Sequence, residues 1–394
     1  MILSDICEFI VDCPHTTAQD EGKGYPLIRT PNIGRGRLIL EGVHRVSEDV
    51  YNKRNFRATP QDDDLIFARE APAGNVAIVK NGEKVCLGQR TVLIRPNKKL
   101  VDPNYLVYYL LTPQQQYKML GTANGATVAH VNLPIIRNLS IELPTIEKQQ
   151  QIGQILSSYD DLIENNQKQI KLLEEAAQRL YKEWFVELRF PGYENTPIID
   201  DAPQGWRIDE VKSIVSLLSG YAFKSNDFVE RGKYKIVTIK NVQDGSFDGE
   251  NVNTIAEIPS KMPRHCILND GDILLSLTGN VGRVCLVNGK DYLLNQRVAK
   301  LDSKYPAYAY CLFRNKDMFD IMNNLANGAA QQNLSPIRTE NVRILIPSDG
   351  LIQKFEDVVS PMISKILLLN KTNDNLKQAR DRLLPKLMSG ELEV

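Results

Sequence analysis

The side chains that most often do chemistry are sparse in this sequence and badly spaced for it. His15, His44, His130 and His265 lie far apart, with no His-Glu-x-x-His spacing to hold a zinc ion. Cys7, Cys13, Cys86, Cys266, Cys285 and Cys311 include no Cys-x-x-Cys pair, and most sit in apolar segments, the pattern of buried free thiols. Asp62-Asp63-Asp64 has the composition of a metal cluster, but it leads straight into an apolar run and reads as a turn entering a strand. Gly121–Thr127 is glycine-rich but lacks the lysine of a phosphate-binding loop, and Gly279-Asn280-Val281-Gly282 reads as a turn. The Asn/Asp-Pro-Pro-Tyr/Phe tetrapeptide of amino-methyltransferases is missing. The chain is expected to catalyse nothing, and to hold no metal and no cofactor of its own. What does recur is polar. Gln89-Arg90 comes back as Gln296-Arg297, and Ala123-Asn124-Gly125-Ala126 as Ala326-Asn327-Gly328-Ala329.

Short strands are expected to carry these residues. Tyr25–Arg29, Asp64–Ala68, Val76–Val79 and Thr91–Ile94 are β-rich runs between turn residues, Pro103–Leu120 is a helical stretch, and Leu139–Pro144 is a last strand. The block then repeats: Tyr234–Val242 matches Tyr25–Ile33, and Asp272–Leu275 matches Asp64–Phe67. Between and after the blocks run two long amphipathic stretches. In the first, Ile152, Tyr159, Asn166, Leu173 and Leu180 recur every seven residues, with Leu156, Ile163, Ile170, Ala177 and Trp184 four behind. In the second, 203 residues on, the columns are Phe355, Met362, Leu369, Leu376, Leu383 and Val359, Ile366, Asn373, Arg380, Leu387. A 4-3 spacing buries one narrow seam, so the two stretches are expected to pair as antiparallel coiled-coil helices. Asn166 and Asn373 interrupt the seam; they either fix its register or face solvent.

The expected fold is α+β: two mixed α/β heads, related by a pseudo-two-fold duplication and held apart by the helix pair. Its divisions are 1–145, first head; 146–190, central helix; 191–205, linker; 206–347, second head; and 348–394, C-terminal helix. Net charge is zero, but its distribution is uneven. Residues 1–145 hold 17 Lys+Arg against 15 Asp+Glu, residues 206–347 hold 18 against 15, and the remainder holds 13 against 18. Slightly positive heads on an acidic stem fit weak contact with DNA through the heads. No apolar run reaches the ~18 residues of a membrane span, and the acidic start, Met1-Ile2-Leu3-Ser4-Asp5, is no signal peptide. A cytoplasmic protein is expected.

The order of motifs resembles the specificity (S) subunits of type I restriction–modification systems. It is carried by Asp12-Cys13-Pro14-His15-Thr16-Thr17, Ile28–Ile33, Ala68–Pro72 with Gly74-Asn75-Val76, Cys86–Arg90, Leu162–Asn166, Ala177–Val186 and Leu384–Leu392. The resemblance implies two target-recognition domains, each reading half of a split double-stranded DNA sequence. It also implies two modification (methyltransferase) subunits supplying S-adenosylmethionine, and restriction subunits using ATP and Mg. Polar side chains on loops at strand ends can reach base edges. In the first head these are His15, Arg29, Asn32, Arg69, Gln89, Arg90, Thr127 and His130; in the second, Lys224, Lys240, Asn241, Asn280, Gln296, Arg297, Gln331 and Gln332. Each Gln-Arg pair has a structural alternative, a Gln bonding a loop backbone and an Arg pairing an acid. Arg69 beside Glu70 could be an exposed ion pair of little consequence. The sequence departs in two places: the first head opens without the tryptophan-containing lead-in that precedes the second (Trp206-Arg207), and Tyr221-Ala222-Phe223-Lys224 stands opposite Cys13-Pro14-His15-Thr16, so the heads are expected to read different half-sites. A function of another class, a coiled-coil scaffold whose heads bind protein, stays open on the residues alone.

Overall fold

The computed structural model describes residues 1–80, 82–121, 130–250, 252–326 and 332–394. Thr127 and Gln331, and the Asn-Gly tetrapeptides apart from Ala326, lie outside the described residues. The chain divides into two compact units, Met1–Glu164 with Asp374–Val394, and Asn165–Asn373. The division passes through both long helices instead of separating heads from helices, because each head shares a core with a stretch of both.

In the first unit the elements are β1 (Cys7–Asp12), β2 (Tyr25–Ile28), β3 (Gly36–Arg37), β4 (Arg45–Val46), α1 (Glu48–Arg54), β5 (Leu65–Ala68), β6 (Val76–Ile78), β7 (Cys86–Leu87), β8 (Thr91–Pro96), α2 (Pro103–Leu110), α3 (Pro113–Leu120) and α4 (Leu133–Arg137), then the start of α5 (Ile146–Tyr181). The sheets run β1-β8-β5-β6-β3 and β4-β2-β7. β5 is apolar throughout because both its faces are covered. Leu65 and Phe67 point at Tyr105 and Leu106 of α2, while Ile66 and Ala68 point at Ile28 and Leu87 of the smaller sheet.

The second unit continues with β9 (Ile198–Ile199), β10 (Ala202–Pro203), β11 (Arg207–Glu210), β12 (Ser216–Ser219), β13 (Tyr234–Val237), β14 (Asn253–Ile255), β15 (Ile267–Leu268), β16 (Ile273–Ser276), β17 (Val284–Leu286), β18 (Tyr292–Leu294), β19 (Val298–Asp302), α6 (Pro306–Arg314), α7 (Lys316–Ala326), α8 (Pro336–Glu340) and β20 (Arg343–Ile346), followed by α9 (Asp349–Ser389). Its main sheets, β12-β19-β16-β17 and β14-β13-β18-β15, repeat the first unit's order, and the parallel β2–β7 pair returns as β13–β18. Ile273 and Leu275 again face helices, and Leu274 faces Val237 and Leu294.

Three expectations need correction. The helical stretch Pro103–Leu120 is two helices, because Pro113 lacks the amide to continue the first and Thr112 caps the second. The strand expected over Leu139–Pro144 is reduced to one bridge, Ile2 to Ser140, although its counterpart pairs fully as β20 with β11. The central helix stops short of 190: α5 ends at Tyr181 and closes with a π-turn, Lys182–Val186.

The helices run antiparallel inside each unit. In the first, Ile152 and Leu156 share a core with Leu384 and Leu387. There the buried Asp160 carboxylate accepts from Arg380 and, at 2.5 Å, from the Tyr108 hydroxyl. In the second unit, Ala177 and Tyr181 pack with Phe355 and Val359. The seam residues Ile152, Tyr159, Ile163, Asn166, Ile170, Leu173, Phe355, Met362, Ile366, Leu369, Leu376 and Leu383 are all buried or half-buried. Asn166 Nδ2 donates to Asn373 Oδ1 at 2.9 Å, and both side chains are buried. This decides between the two readings of the asparagines in favour of a paired polar layer. Glu174 accepts from the Tyr310 hydroxyl at 2.6 Å and from Arg314 at 3.1 Å. Burial pushes its carboxyl above the usual range, against the pull of Arg314.

One exchange between the copies is compensated. Asp102 caps α2 by accepting from Tyr105 N at 2.8 Å. Below it lies Gly153, where a Cβ would come within 2.7 Å of the Asp102 carboxylate. In the second copy Tyr305 stands at the cap position and makes no side-chain cap bond. Glu356, 203 residues after Gly153, instead reaches up from α9 to accept from Tyr308 N at 2.6 Å.

Candidate nucleic-acid interface

Backbone hydrogen bonds tie the loops of the first head together. Gly88 N donates to Ile28 O at 2.8 Å, Arg69 N to Arg90 O at 3.0 Å, and Val131 N to Arg69 O at 3.0 Å. Side chains add to this: Gln89 Nε2 donates to His15 O at 3.3 Å, and Thr17 Oγ1 to Gln89 Oε1 at 3.2 Å. His15, Arg29, Arg69, Gln89, Arg90 and His130, from five stretches of sequence, thus share one group of loops. His15 and Arg90 are exposed there, and the others are half-buried.

The second head uses the same frame. Asn295 N donates to Val237 O at 3.1 Å, Leu277 N to Arg297 O at 3.0 Å, and Leu334 N to Leu277 O at 2.8 Å. Lys224, Lys240, Asn280, Gln296, Arg297 and Gln332 are exposed on its loops. The Arg297 side chain has no charged partner among the described residues.

Asn32 and Asn241 need correction. Asn32 Oδ1 accepts from Arg29 N at 3.1 Å and its Nδ2 donates to Ile39 O at 3.2 Å. Asn241 does the same with Thr238 N and Asp248 O, each at 2.8 Å. Both are buried, with their amides spent on their own loops, so they shape the loops and do not face outward to read a base.

A family model described as the type I restriction modification DNA specificity domain matches the chain twice, over residues 1–175 and 203–378. The chain belongs to the specificity-subunit family of type I restriction–modification systems. Its relatives include the type I restriction enzyme MjaIX specificity subunit of Methanocaldococcus jannaschii, 30% identical over 368 residues, covering 90% of this chain and 83% of the relative. The MjaVIII specificity subunit of the same organism is 26% identical, over 97% of this chain and 89% of that one. A crystal structure of a type I S subunit from M. genitalium shares the fold, with a TM-score of 0.55 at 16% identity, covering 98% and 95% of the two chains. The protein-binding scaffold is not favoured by these findings.

Two residues of this specificity subunit escaped the sequence reading. Arg54 is buried and holds two loops at once, donating to Leu87 O at 2.7 Å, Thr16 O at 2.9 Å and Pro14 O at 3.3 Å. Nothing in its neighbourhood, Asn52-Lys53-Arg54-Asn55, distinguishes it from an ordinary helix-end cation. Glu70 is the other. It does not pair with Arg69 on the surface, as its position suggested; one oxygen accepts from Arg90 and the other lies 2.5 Å from His130 Nδ1. The aspartate run holds turns: Asp62 accepts from Gly82 N and Asp64 from Gln61 N, both at 2.8 Å. Asp64 is also buried in a two-pronged pair with Arg95, at 2.8 and 2.7 Å. Among the described residues no cluster of three or more His, Cys, Asp or Glu could hold a metal ion, and no helix is long and apolar enough to cross a membrane. The cysteines are free thiols; burial pushes Cys86 and Cys285 up to about 12, leaving them uncharged.

Proposed function

We propose that this chain reads a bipartite double-stranded DNA target, one half with each head, and positions the catalytic subunits of a type I restriction–modification complex on it. Two modification subunits would bring S-adenosylmethionine and the methyl-transfer site, and restriction subunits would bring ATP- and Mg-dependent cleavage. This subunit contributes recognition and no catalytic group, and works in the cytoplasm.

One observation carries the reading. The two heads hang their loops on matching hydrogen bonds, but the side chains in matching places differ. Arg69, Glu70 and His130 of the first head correspond to Leu277, Thr278 and Asn333 of the second. Leu277 and Thr278 are buried, and only Asn333 of these three is exposed. A common frame with different side chains on its loops is what reading two unlike half-sites requires, since bases are told apart by their donor and acceptor patterns.

The test is to express the chain with its modification subunit in cells lacking other methylation and to map the modified bases. Arg90→Ala should relax one half-site and Arg297→Ala the other, each by about 1–3 kcal/mol of discrimination. If both variants relaxed the same half, or neither changed the recovered sequence, the assignment of one half-site per head would fall.

A further inference from the structure

Four side chains of the first head form one continuous chain of hydrogen bonds: Arg90, Glu70, His130, Arg69. Arg90 Nη1 donates to one oxygen of Glu70. The other oxygen of Glu70 lies 2.5 Å from His130 Nδ1, and His130 Nε2 lies 2.8 Å from Arg69 Nη2. A guanidinium can only donate, so Nε2 is the acceptor and the ring proton sits on Nδ1, pointing at Glu70. Arg69 is itself anchored, with its Nε donating to Val131 O at 3.0 Å. The chain therefore starts on a fixed backbone and ends on Arg90.

Exposure is lowest in the middle of the chain and highest at its Arg90 end. The Glu70 side chain is 15% exposed, that of His130 35% and that of Arg90 55%. Glu70 occupies only one guanidinium nitrogen of Arg90. Among the described residues the Nη2 and Nε protons have no acceptor, which leaves enough for the two parallel bonds an arginine makes to O6 and N7 of guanine. An exposed arginine normally loses several rotatable bonds' worth of freedom on docking, and an acid that already holds one nitrogen removes part of that cost. In the second head Arg297 has Thr278 where the first has Glu70, so it is not held in this way.

We propose that Glu70 is a positioning residue for base recognition: braced by His130 and Arg69, it presents Arg90 to a guanine of the first half-site. This rests on the reading of the heads given above and adds the base and the residue that aims its reader.

The experiment uses the chain assembled with its modification subunit. Competition binding compares the cognate duplex with duplexes altered one base pair at a time, and with one carrying 7-deazaguanine, which lacks the N7 acceptor. Arg90→Ala should cut discrimination at a single guanine by about tenfold or more. Glu70→Ala should reproduce that loss at the same guanine and nowhere else. Glu70→Gln keeps the volume and an acceptor for His130, and should lose several-fold at that position. In Arg90→Ala, a further Glu70→Ala should cost nothing more, because a positioning residue has nothing left to position. Full discrimination in Glu70→Ala beside a defective Arg90→Ala would overturn the role of Glu70 alone, as would an additive double variant. If neither Arg90→Ala nor Arg297→Ala altered discrimination at any position, the reading of both heads would fail and this inference with it. Equal weakening on every duplex, with a shallower salt dependence, would make Arg90 a phosphate contact and overturn the inference as well.

Discussion

Asn32 and Asn241 look outward in the sequence and inward in the structure. An asparagine after a short strand can cap its own loop or read adenine, and composition alone does not separate the two. The matching bonds they make to residues three before and seven after show that they set loop shape. Asn32→Ala is therefore expected to lower stability by about 1–3 kcal/mol by leaving buried partners unpaired, with the modified DNA sequence unchanged; chemical denaturation and base mapping check the two halves of the statement. Lys240 is exposed beside Asn241 on the same loop. Lys240→Ala should weaken binding alike on all sequences and reduce the salt slope by about one, the mark of a phosphate contact; a change confined to one base position would instead make it a reader. In the first head the Gln-Arg pair takes the structural alternative, Gln89 donating to the His15 carbonyl and Arg90 pairing Glu70. The place of both pairs on the loops was legible because they recur after short strands. Glu70 and Arg54 were not, because their partners are distant in sequence and only folding brings them close.

Among the elements, the long helices were the most legible, since a seven-residue repeat leaves little freedom about which face is buried. The loops between short strands were the least, because strand pairing is non-local and a few residues decide each turn. The Asn166–Asn373 layer sets the helices' register within the second unit. Leu369 and Ile170 stand where a 203-residue shift would place these asparagines, so the layer is polar at one of two equivalent places and breaks the symmetry of the repeat. Asn166→Leu should cost about 1–3 kcal/mol by orphaning a buried amide. Adding Asn373→Leu should restore at least parental stability, while the helix pair gains freedom to slip. Denaturant unfolding of the two single variants and the double gives the coupling. Additive losses would show that the two amides do not depend on each other in solution. Glu174→Ala is a second case: it leaves the mostly buried Arg314 with only Asp244 at 3.5 Å and the Tyr310 hydroxyl at 2.9 Å, and should cost about 2 kcal/mol, more than a surface pair.

For the whole molecule, the proposed division of labour makes a direct demand. The purified chain should transfer no methyl group from S-adenosylmethionine to DNA until its modification subunit is added; turnover by the chain alone would sink the non-catalytic reading. If the helices set the gap between half-sites, a heptad inserted after Leu172 together with one after Ile366 keeps the seam in phase and lengthens the pair by about 10 Å. The gap should then grow by about three base pairs at ~3.4 Å each, with both half-sites intact. Altered half-site bases, or an unchanged gap at full activity, would show that the helices tether the heads without measuring the distance.

The capping exchange at α2 and α6 limits how such proteins can be recombined. A head is not a free cartridge, because the amide of Tyr105 or Tyr308 must find one carboxylate and only one. Grafting the first head onto the helix that carries Glu356 would press that carboxylate against Asp102, two like charges at a site built for one. The reverse graft, the second head over Gly153, would leave the Tyr308 amide with none. The first chimera should be rescued by Glu356→Gly and the second by Gly153→Glu, each recovering the ~1 kcal/mol or more that a helix cap contributes. Lineages that trade recognition heads would then be expected to trade the underlying turn of helix with them, and a crossover point between Asp102 and Gly153 would be selected against.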